Sequence, residues 1–473
     1  MATTTDRDRR LALLVVCTGA LIIILDTTIV NVALPTIQRD LGFSQTGLAW
    51  VVNAYLIAFG GLLLLAGRLG DLLGRRRMFL AGLALFSTAS LACGLADGRA
   101  LLVGARFVQG IGAAMTSAVV LGIVVTLFPR PGEQARAIGV YSFFQASGGS
   151  LGLLLGGVLT QAVGWHWIFF VNVPVGAATA LGAARLLAPD TPLGLRHGAD
   201  APCAALIVSA LMLGVYAIVG SVQRLPAGAL ALALLALFVA RERRAAQPLV
   251  PGHVLRSHAV AGANVVFGLM AGGLLAMQFL VPLYLRGELG LGPLAIGLAF
   301  LPLPLAIAAF SLGVADRAIV RFGAFTTLLP ALVAIGAGLA LLARAPAHGV
   351  YARDVLPSML ALGVGGGLAI PALMTLAMSG ATPEDSGLAS GLANTTIQVG
   401  GALGLAVLVA LAGTRTDPLA GYHVGFAGGA LLVAVAASVA GGLSHFGRGG
   451  VSARSSRPDS GDGSDSTASM ARC

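Results

Sequence analysis

Long apolar runs separated by short polar stretches recur along nearly the whole 473-residue chain. A helix that crosses a bilayer core needs about 20 predominantly apolar residues. By that measure the pattern predicts fourteen spans, at 11–34, 48–67, 78–96, 100–127, 136–160, 166–187, 202–221, 225–240, 260–284, 293–314, 323–343, 354–379, 387–412 and 423–443. The run at 225–240 is the shortest. No connecting loop is long enough for a soluble catalytic domain. The Ser/Gly/Asp/Arg-rich stretch from Arg448 to Cys473 reads as disordered.

Two stretches of this pattern are near copies. Residues 148–153 read GGSLGL and residues 400–405 read GGALGL, and Gly139 stands before the first as Gly391 stands before the second. The segments GRLGDLLGRRRMF (67–79) and GVADRAIVRFGAF (313–325) form a second pair, both expected in loops. Each has an aspartate (Asp71, Asp316) shortly after a glycine, with arginines following. The pairs fall in corresponding places if spans 1–6 and 9–14 are equivalent. The expected architecture is an all-α integral membrane protein of 14 transmembrane helices, with two pseudo-symmetric six-helix bundles plus an inserted helix pair. The parts are a cytoplasmic N-terminus (1–10), an N-terminal bundle (11–187), the inserted pair with its linkers (188–258), a C-terminal bundle (259–445) and a tail (446–473). Two bundles related by an axis along the membrane normal are a transporter architecture.

Composition agrees with this reading. Charged residues make up 10% of the chain and hydrophobic residues 57%, at a mean hydropathy of +0.91, whereas soluble domains carry roughly 25% charged residues. All 29 basic residues are arginine. The net charge of +10 suggests nucleic acid, but the arginines are scattered over many short loops. With the N-terminus inside, 21 arginines fall in cytoplasmic segments, 7 in outer loops and one, Arg106, in the membrane. That is the positive-inside bias of a multi-pass plasma-membrane protein with both termini cytoplasmic. The opening MATTTDRDRR and its apolar run lack a small-residue cleavage site and read as a retained first span. Cys17, Cys93, Cys203 and Cys473 have neither disulfide nor metal spacing.

The segments LDTTIVNVALP (25–35), GRLGDLLGRRRMF (67–79) and LVGARFVQGIGAA (102–114), with the glycines Gly139, Gly148, Gly152, Gly156 and Gly157, resemble the motifs of the major facilitator superfamily. WVVNAYLIAF (50–59), WHWIFFVNVPVG (165–176), PLYLRGELGLGPLAIGLAFLP (282–302) and SGLASGLANTTIQVGGALGLAVL (386–408) resemble its fourteen-span drug:proton antiporter branch. Leu153 stands where the span-5 motif usually has proline, and Leu72 where the loop motif usually has arginine. The resemblance implies a proton-coupled exporter of hydrophobic or amphipathic small molecules such as antibiotics. It needs no cofactor or metal and draws on the proton gradient. A transporter dedicated to one endogenous metabolite is the alternative. The expected partners are a small-molecule substrate, protons and the lipid bilayer, with no nucleic acid, and the chain is expected to act as a monomer. A membrane sensor would want an output domain. An intramembrane protease would use Ser150 of GGSLG, which matches G-x-S-x-G, but the match lies in a membrane helix rather than in a strand-to-helix turn.

Asp26 is the sharpest polar position. A carboxylate at the centre of a membrane helix costs about 2.5–3.5 kcal/mol even on the lenient insertion scale, so it should face a wet cavity, a partner charge or both. If its helix ends near Pro35, Asp26 lies roughly 13 Å below the outer surface. Arg106 in span 4 lies at similar depth. The resemblance places both spans along the central cavity, so the pair reads either as the proton-coupling site or as a structural ion pair at an outer gate. Glycines four apart permit close backbone approach. Gly139, Gly148, Gly152, Gly156, Gly157, Gly391, Gly400 and Gly404 therefore read as a helix-packing gate or as ordinary tight packing.

The remaining charges suggest a cytoplasmic gate. The resemblance implies that Gly67, Asp71, Gly74, Arg75 and Arg76 lie across the bundle interface from Glu384 and Asp385, which stand in the one cytoplasmic loop without arginine. By pseudo-symmetry Glu133 would face Asp316, Arg317 and Arg321. Latches across the bundles and simple topology determinants are both open readings. Asn31, Asn53, Tyr55, Gln109, Gln145, Gln278, Asn394 and Gln398 lie within spans as substrate-cavity candidates or helix–helix hydrogen-bond partners. Trp165, His166 and Trp167 are expected in an aromatic belt, and 241–256 in an interfacial segment.

Overall fold

A computed structural model describes residues 6–188, 201–219, 223–244, 258–379 and 386–452, and every regular element among them is helical. The first helices are α1 (Asp6–Leu41), α2 (Gln45–Leu73), α3 (Arg75–Gly94), α4 (Arg99–Leu127) and α5 (Pro131–Ala162). A one-turn α6 (Trp167–Phe170) leads into α7 (Asn172–Leu186), and α8 (Ala201–Val219) and α9 (Arg224–Arg244) follow. After them come α10 (His258–Gly287), α11 (Pro293–Phe300), α12 (Pro302–Phe310), a π-turn at Ser311–Ala315, α13 (Asp316–Phe322) and α14 (Ala324–Leu342). A second π-turn at Tyr351–Val355 opens α15 (Leu356–Met378), and α16 (Ser386–Ala412) and α17 (Pro418–Ser452) are the last described elements. Among the described residues, thirteen stretches are long and apolar enough to cross a membrane, and Leu151–Ala162 of α5 is a shorter apolar one.

The helices outrun the apolar runs. α1 passes through Pro35 to Leu41, and α17 runs to Ser452. The segment 313–322, expected as a loop, is helical: the π-turn absorbs the extra residue, and the chain continues to Phe322. The charges of Asp316, Arg317 and Arg321 lower the hydropathy there without breaking the helix. The true turn is Gly323, alone between α13 and α14 at φ 86°. Gly74 does the same between α2 and α3 at φ 101°. Both angles lie where an L side chain is strained. The two turns match in backbone but not in charge. Three arginines follow Gly74, whereas Ala324 follows Gly323.

Packing divides the helices. α1 lies on α5, α4 and α7, α3 on α4 and α7, and α2 on α4. In the later part α10 lies on α16 and α17, α14 on α15 and α17, and α12 on α15. The two sets meet where α2 packs on α16, α5 on α11 and α1 on α10, and α8 lies along both α2 and α16 with α9 outside it. The α2–α16 seam is packed at several levels, with Thr46 beside Gly413, Gly60 against Gln398, and Leu64 against Gly391. The α5–α11 seam is tight around Gly157 and Gly297. A Cβ on Gly157 would meet the Pro293 carbonyl at 2.8 Å, and one on Gly297 would meet the Leu153 carbonyl at 2.6 Å. Further along, Phe143 of α5, Leu305 of α12 and Leu312 of the π-turn are exposed.

Most of the repeated glycines serve contacts inside each set rather than a seam between them. Gly148, Gly152 and Gly156 let α5 press on α1; a Cβ on Gly156 would stand 2.7 Å from the Ile29 carbonyl. Gly400 and Gly404 do the same for α16 on α10, against Gly268 and Gly272. Of the predicted gate glycines only Gly157 and Gly391 lie across a seam, and Gly139 has open space around it. The aromatic belt also needs correction. Trp165 is 1% exposed and donates to Asp40 Oδ2 at 3.1 Å, so it belongs to the core, whereas Trp167 is exposed. The interfacial segment lies outside the described residues beyond Arg244.

Candidate functional site: a buried ion pair

Gly110 and Gly112 carry α4 close to its neighbours: a Cβ on Gly110 would strike the Tyr55 carbonyl, and one on Gly112 would lie 2.8 Å from the Gly82 carbonyl. That close approach brings Arg106 and Gln109, one turn apart on α4, against α1, α2 and α3. Arg106 donates to Asp26 Oδ2 at 2.5 Å, to Gln109 Oε1 at 2.7 Å and to the Val51 carbonyl at 2.9 Å. Its guanidinium stands 4.2 Å from the centre of the Tyr55 ring and 5.8 Å from that of Phe169. Such cation–π contacts add attraction where water is excluded. Gln109 Nε2 donates to Asp26 Oδ1 at 2.8 Å and to Ser90 Oγ at 2.7 Å.

The third donor to Asp26 comes from α7. The helix breaks at Val171, and Asn172, first residue after the break, donates from Nδ2 to Asp26 Oδ1 at 2.8 Å and to Ser90 Oγ at 3.5 Å. Asp26, Ser90 and Gln109 are fully buried, and Arg106 and Asn172 are 1% exposed. The arrangement is therefore a sealed polar network tying α1, α2, α3, α4 and α7. A buried pair of charges is stable only when its remaining hydrogen-bonding capacity is met, as it is here.

Several expectations change on this geometry. The expected partner charge is present, but Asp26 faces no open cavity; it is enclosed by donors. Because α1 continues to Leu41, Asp26 sits mid-helix, roughly 22 Å from the helix end rather than roughly 13 Å. Gln109, expected along a substrate cavity, belongs to the ion-pair network. Ser90 and Asn172 were not singled out in the sequence. The signal was present in WHWIFFVNVPVG, where Asn172 precedes Pro174 at a helix break.

The other polar candidates are dispersed. Asn31 donates to Gln278 Oε1 at 3.2 Å and links α1 to α10. Asn53 is fully buried with neither amide atom hydrogen-bonded, and Gln145 donates to the Tyr141 hydroxyl at 2.8 Å. Asn394 is exposed, and Gln398 packs on Gly60. Tyr55 lies under Arg106.

The gate charges mostly pair locally. Arg75 donates to Asp71 at 3.0 Å and to the Gly122 carbonyl at 3.0 Å, and Arg76 to the Ala184 carbonyl at 2.5 Å. Gly67 has room around it. Glu133 does not meet the Asp316 region; its ion-pair partners are Arg130 at 3.2 Å and Arg9 at 3.6 Å. Arg317 donates to the Gly313 carbonyl, Arg321 stands over Phe322, and Asp316 is exposed. Glu384 and Asp385 lie outside the described residues. No cluster of metal-ligating side chains occurs among the described residues.

A family model described as Major Facilitator Superfamily matches residues 16–405. The chain belongs to that superfamily. This major facilitator protein is 39% identical over 414 residues to a puromycin resistance protein of Streptomyces alboniger, covering 85% of this chain and 82% of the relative. It is 36% identical to a cephamycin export protein of Amycolatopsis lactamdurans, over 86% of this chain and 85% of the other. It is 34% identical to a tetracenomycin C resistance and export protein of Streptomyces glaucescens, over 85% and 76%. A crystal structure of a nucleoside transporter superposes with a TM-score of 0.66 at 13% identity, covering 92% of this chain and 99% of that one, which concerns the fold alone. Membership makes the chain a multi-pass membrane transporter for small molecules rather than an enzyme.

Proposed function

We propose that this major facilitator protein exports hydrophobic or amphipathic small molecules, antibiotics among them, in exchange for protons. Fourteen spans form two six-helix bundles related by a pseudo-twofold axis, with α8 and α9 inserted, in a monomer whose two termini are cytoplasmic. The observation that carries the reading is the sealed Asp26–Arg106 pair in the membrane-spanning part of a chain whose relatives are named for antibiotic resistance and export. Asp26 carries the proton. In the ionised state Arg106 balances it, and a proton arriving from outside neutralises Asp26 and loosens the pair as the bundles rock. One proton moving down 100 mV supplies about 2.3 kcal/mol, enough for roughly a fiftyfold solute gradient. Asp71, Arg75 and Arg76 act at the cytoplasmic gate with Glu384 and Asp385, and Gly157 lies at the opposite seam.

The test is drug accumulation in a pump-deficient host, with and without an uncoupler, for the wild type and Asp26→Asn. Uncoupler-sensitive export by the wild type, lost in Asp26→Asn, is expected. Undiminished export by the variant would remove Asp26 from the coupling. A second reading is favoured by the relatives' names, three of which specify one antibiotic each: a transporter dedicated to a single product. A panel of unrelated drugs separates the two, because a dedicated transporter would lower the accumulation of only one chemical class.

A further inference from the structure

In the network around Asp26 every neighbour that reaches the carboxylate does so as a donor. Arg106 donates to Oδ2, and the amide groups of Gln109 and Asn172 donate to Oδ1. That set fits an ionised carboxylate. It does not fit a neutral carboxylic acid, whose O–H needs an acceptor. In a site closed to water, a buried O–H without a partner is costly. If Asp26 binds a proton, as the proposed function requires, one of its neighbours must change from donor to acceptor.

Arg106 cannot, because a guanidinium has no acceptor. Gln109 is fixed at both ends: its Oε1 accepts from Arg106 while its Nε2 donates to Ser90. Turning it over would place amide hydrogens against the guanidinium. Asn172 is not fixed in this way. Its Nδ2 bonds only Asp26 and Ser90, and Ser90 is a hydroxyl that can accept or donate. A half-turn of the Asn172 amide would present Oδ1 to the protonated Asp26. The other ionisable groups facing Asp26 are Arg106 on α4, Tyr55 on α2 and Cys93 on α3, while α5 meets α1 at that level with Gly148 and Gly152.

We infer that Asn172 is the positioning residue for the proton on Asp26, donating to the carboxylate and turning over to accept from the acid, with Ser90 completing the exchange. The inference rests on the proton-coupling reading of Asp26. The half-turn involves the side-chain amide alone and leaves the backbone bond from the Val171 N–H to the Trp167 carbonyl, at 3.1 Å, in place.

Two near-isosteric substitutions test it in proteoliposomes, with exchange of a fluorescent cationic drug against an imposed pH difference. Asn172→Leu can neither donate nor accept, and the acid loses its only acceptor. Because the charge-assisted bond to the carboxylate is lost as well and is the stronger of the two, the pH at half-maximal exchange should move alkaline by about one unit, a tenfold lower proton requirement. Asn172→Asp adds an acceptor and a negative charge, and the profile should move alkaline. The carboxyl stretch in infrared difference spectra should shift in both variants relative to wild type. Lower maximal rates with an unchanged pH profile and an unchanged carboxyl band would overturn the inference and leave Asn172 a packing residue. If Asn172→Leu does not insert, Asn172→Ala takes its place in the infrared measurement, and an unmoved carboxyl band there overturns the inference. Asp26→Asn, run in parallel, separates this from failure of the coupling reading: exchange that survives there rejects the proton site itself.

Discussion

Gly272 of α10 and Gly404 of α16 meet backbone to backbone: a Cβ built on Gly272 would stand 3.0 Å from the Gly404 Cα. Nothing at that contact can rotate away, since both partners are main chain. Gly404→Leu should therefore force the helices apart and cost about 1–3 kcal/mol or more, as overpacked sites do. Gly139 lies in a helix with free space around it, and Gly139→Ala should raise stability slightly by helix propensity. Thermal unfolding of the two purified variants in detergent checks both signs.

Removing one member of the Asp26–Arg106 pair leaves the other charge buried alone. Arg106→Gln should destabilise by about 3–5 kcal/mol. The double variant Asp26→Asn/Arg106→Gln should recover most of that loss, because two neutral amides can bond each other. It should still fail to couple transport. Unfolding and exchange measured on the single and double variants distinguish a stability role from a coupling role.

The Asp71–Arg75 pair is a contrast. Both side chains are more than a third exposed, and such pairs contribute within about 1 kcal/mol. Arg75→Ala, which also loses the bond to the Gly122 carbonyl, should destabilise by about 1–2 kcal/mol, well short of the loss at Arg106. If the segment is a gate, export should fall several-fold in the same variant; equal, small effects on both would mean that the arginine only sets topology.

Gln161 Oε1 accepts from the Leu294 N–H at 3.2 Å, across the seam where α5 touches α11. Cysteines at 161 and 294, joined by a short thiol-specific crosslinker, should hold that seam shut and abolish turnover. Reductive cleavage of the linker should restore it. Full turnover of the linked protein would show that the α5–α11 contact does not open during transport.

Much of the fold was readable because membrane helices state themselves in hydropathy. The runs located the helices, and arginine spacing suggested their direction. What the runs could not show was where a helix stops once its charges leave the apolar layer, as at Asp316–Phe322, where only a strained glycine marks the turn. The glycine repeat was visible but its partner was not, since one helix face says nothing about whether α1 or the opposite bundle covers it. Asp26 and Arg106 stood out because isolated charges are costly in apolar runs. Asn172 and Ser90 are small neutral polar residues that such runs tolerate, so only three-dimensional contact reveals them.

The position of α8 has a consequence for how oily solutes arrive. It lies along α2 and α16, which touch each other at Thr46, Gly60 and Leu64. A molecule dissolved among lipid tails is thus shut out on that flank. It has the opposite flank left, where Phe143 of α5 and Leu305 of α12 are exposed. Entry from the bilayer would then be one-sided, and bulky residues at Phe143 or Leu305 would narrow the doorway for every lipophilic passenger at once.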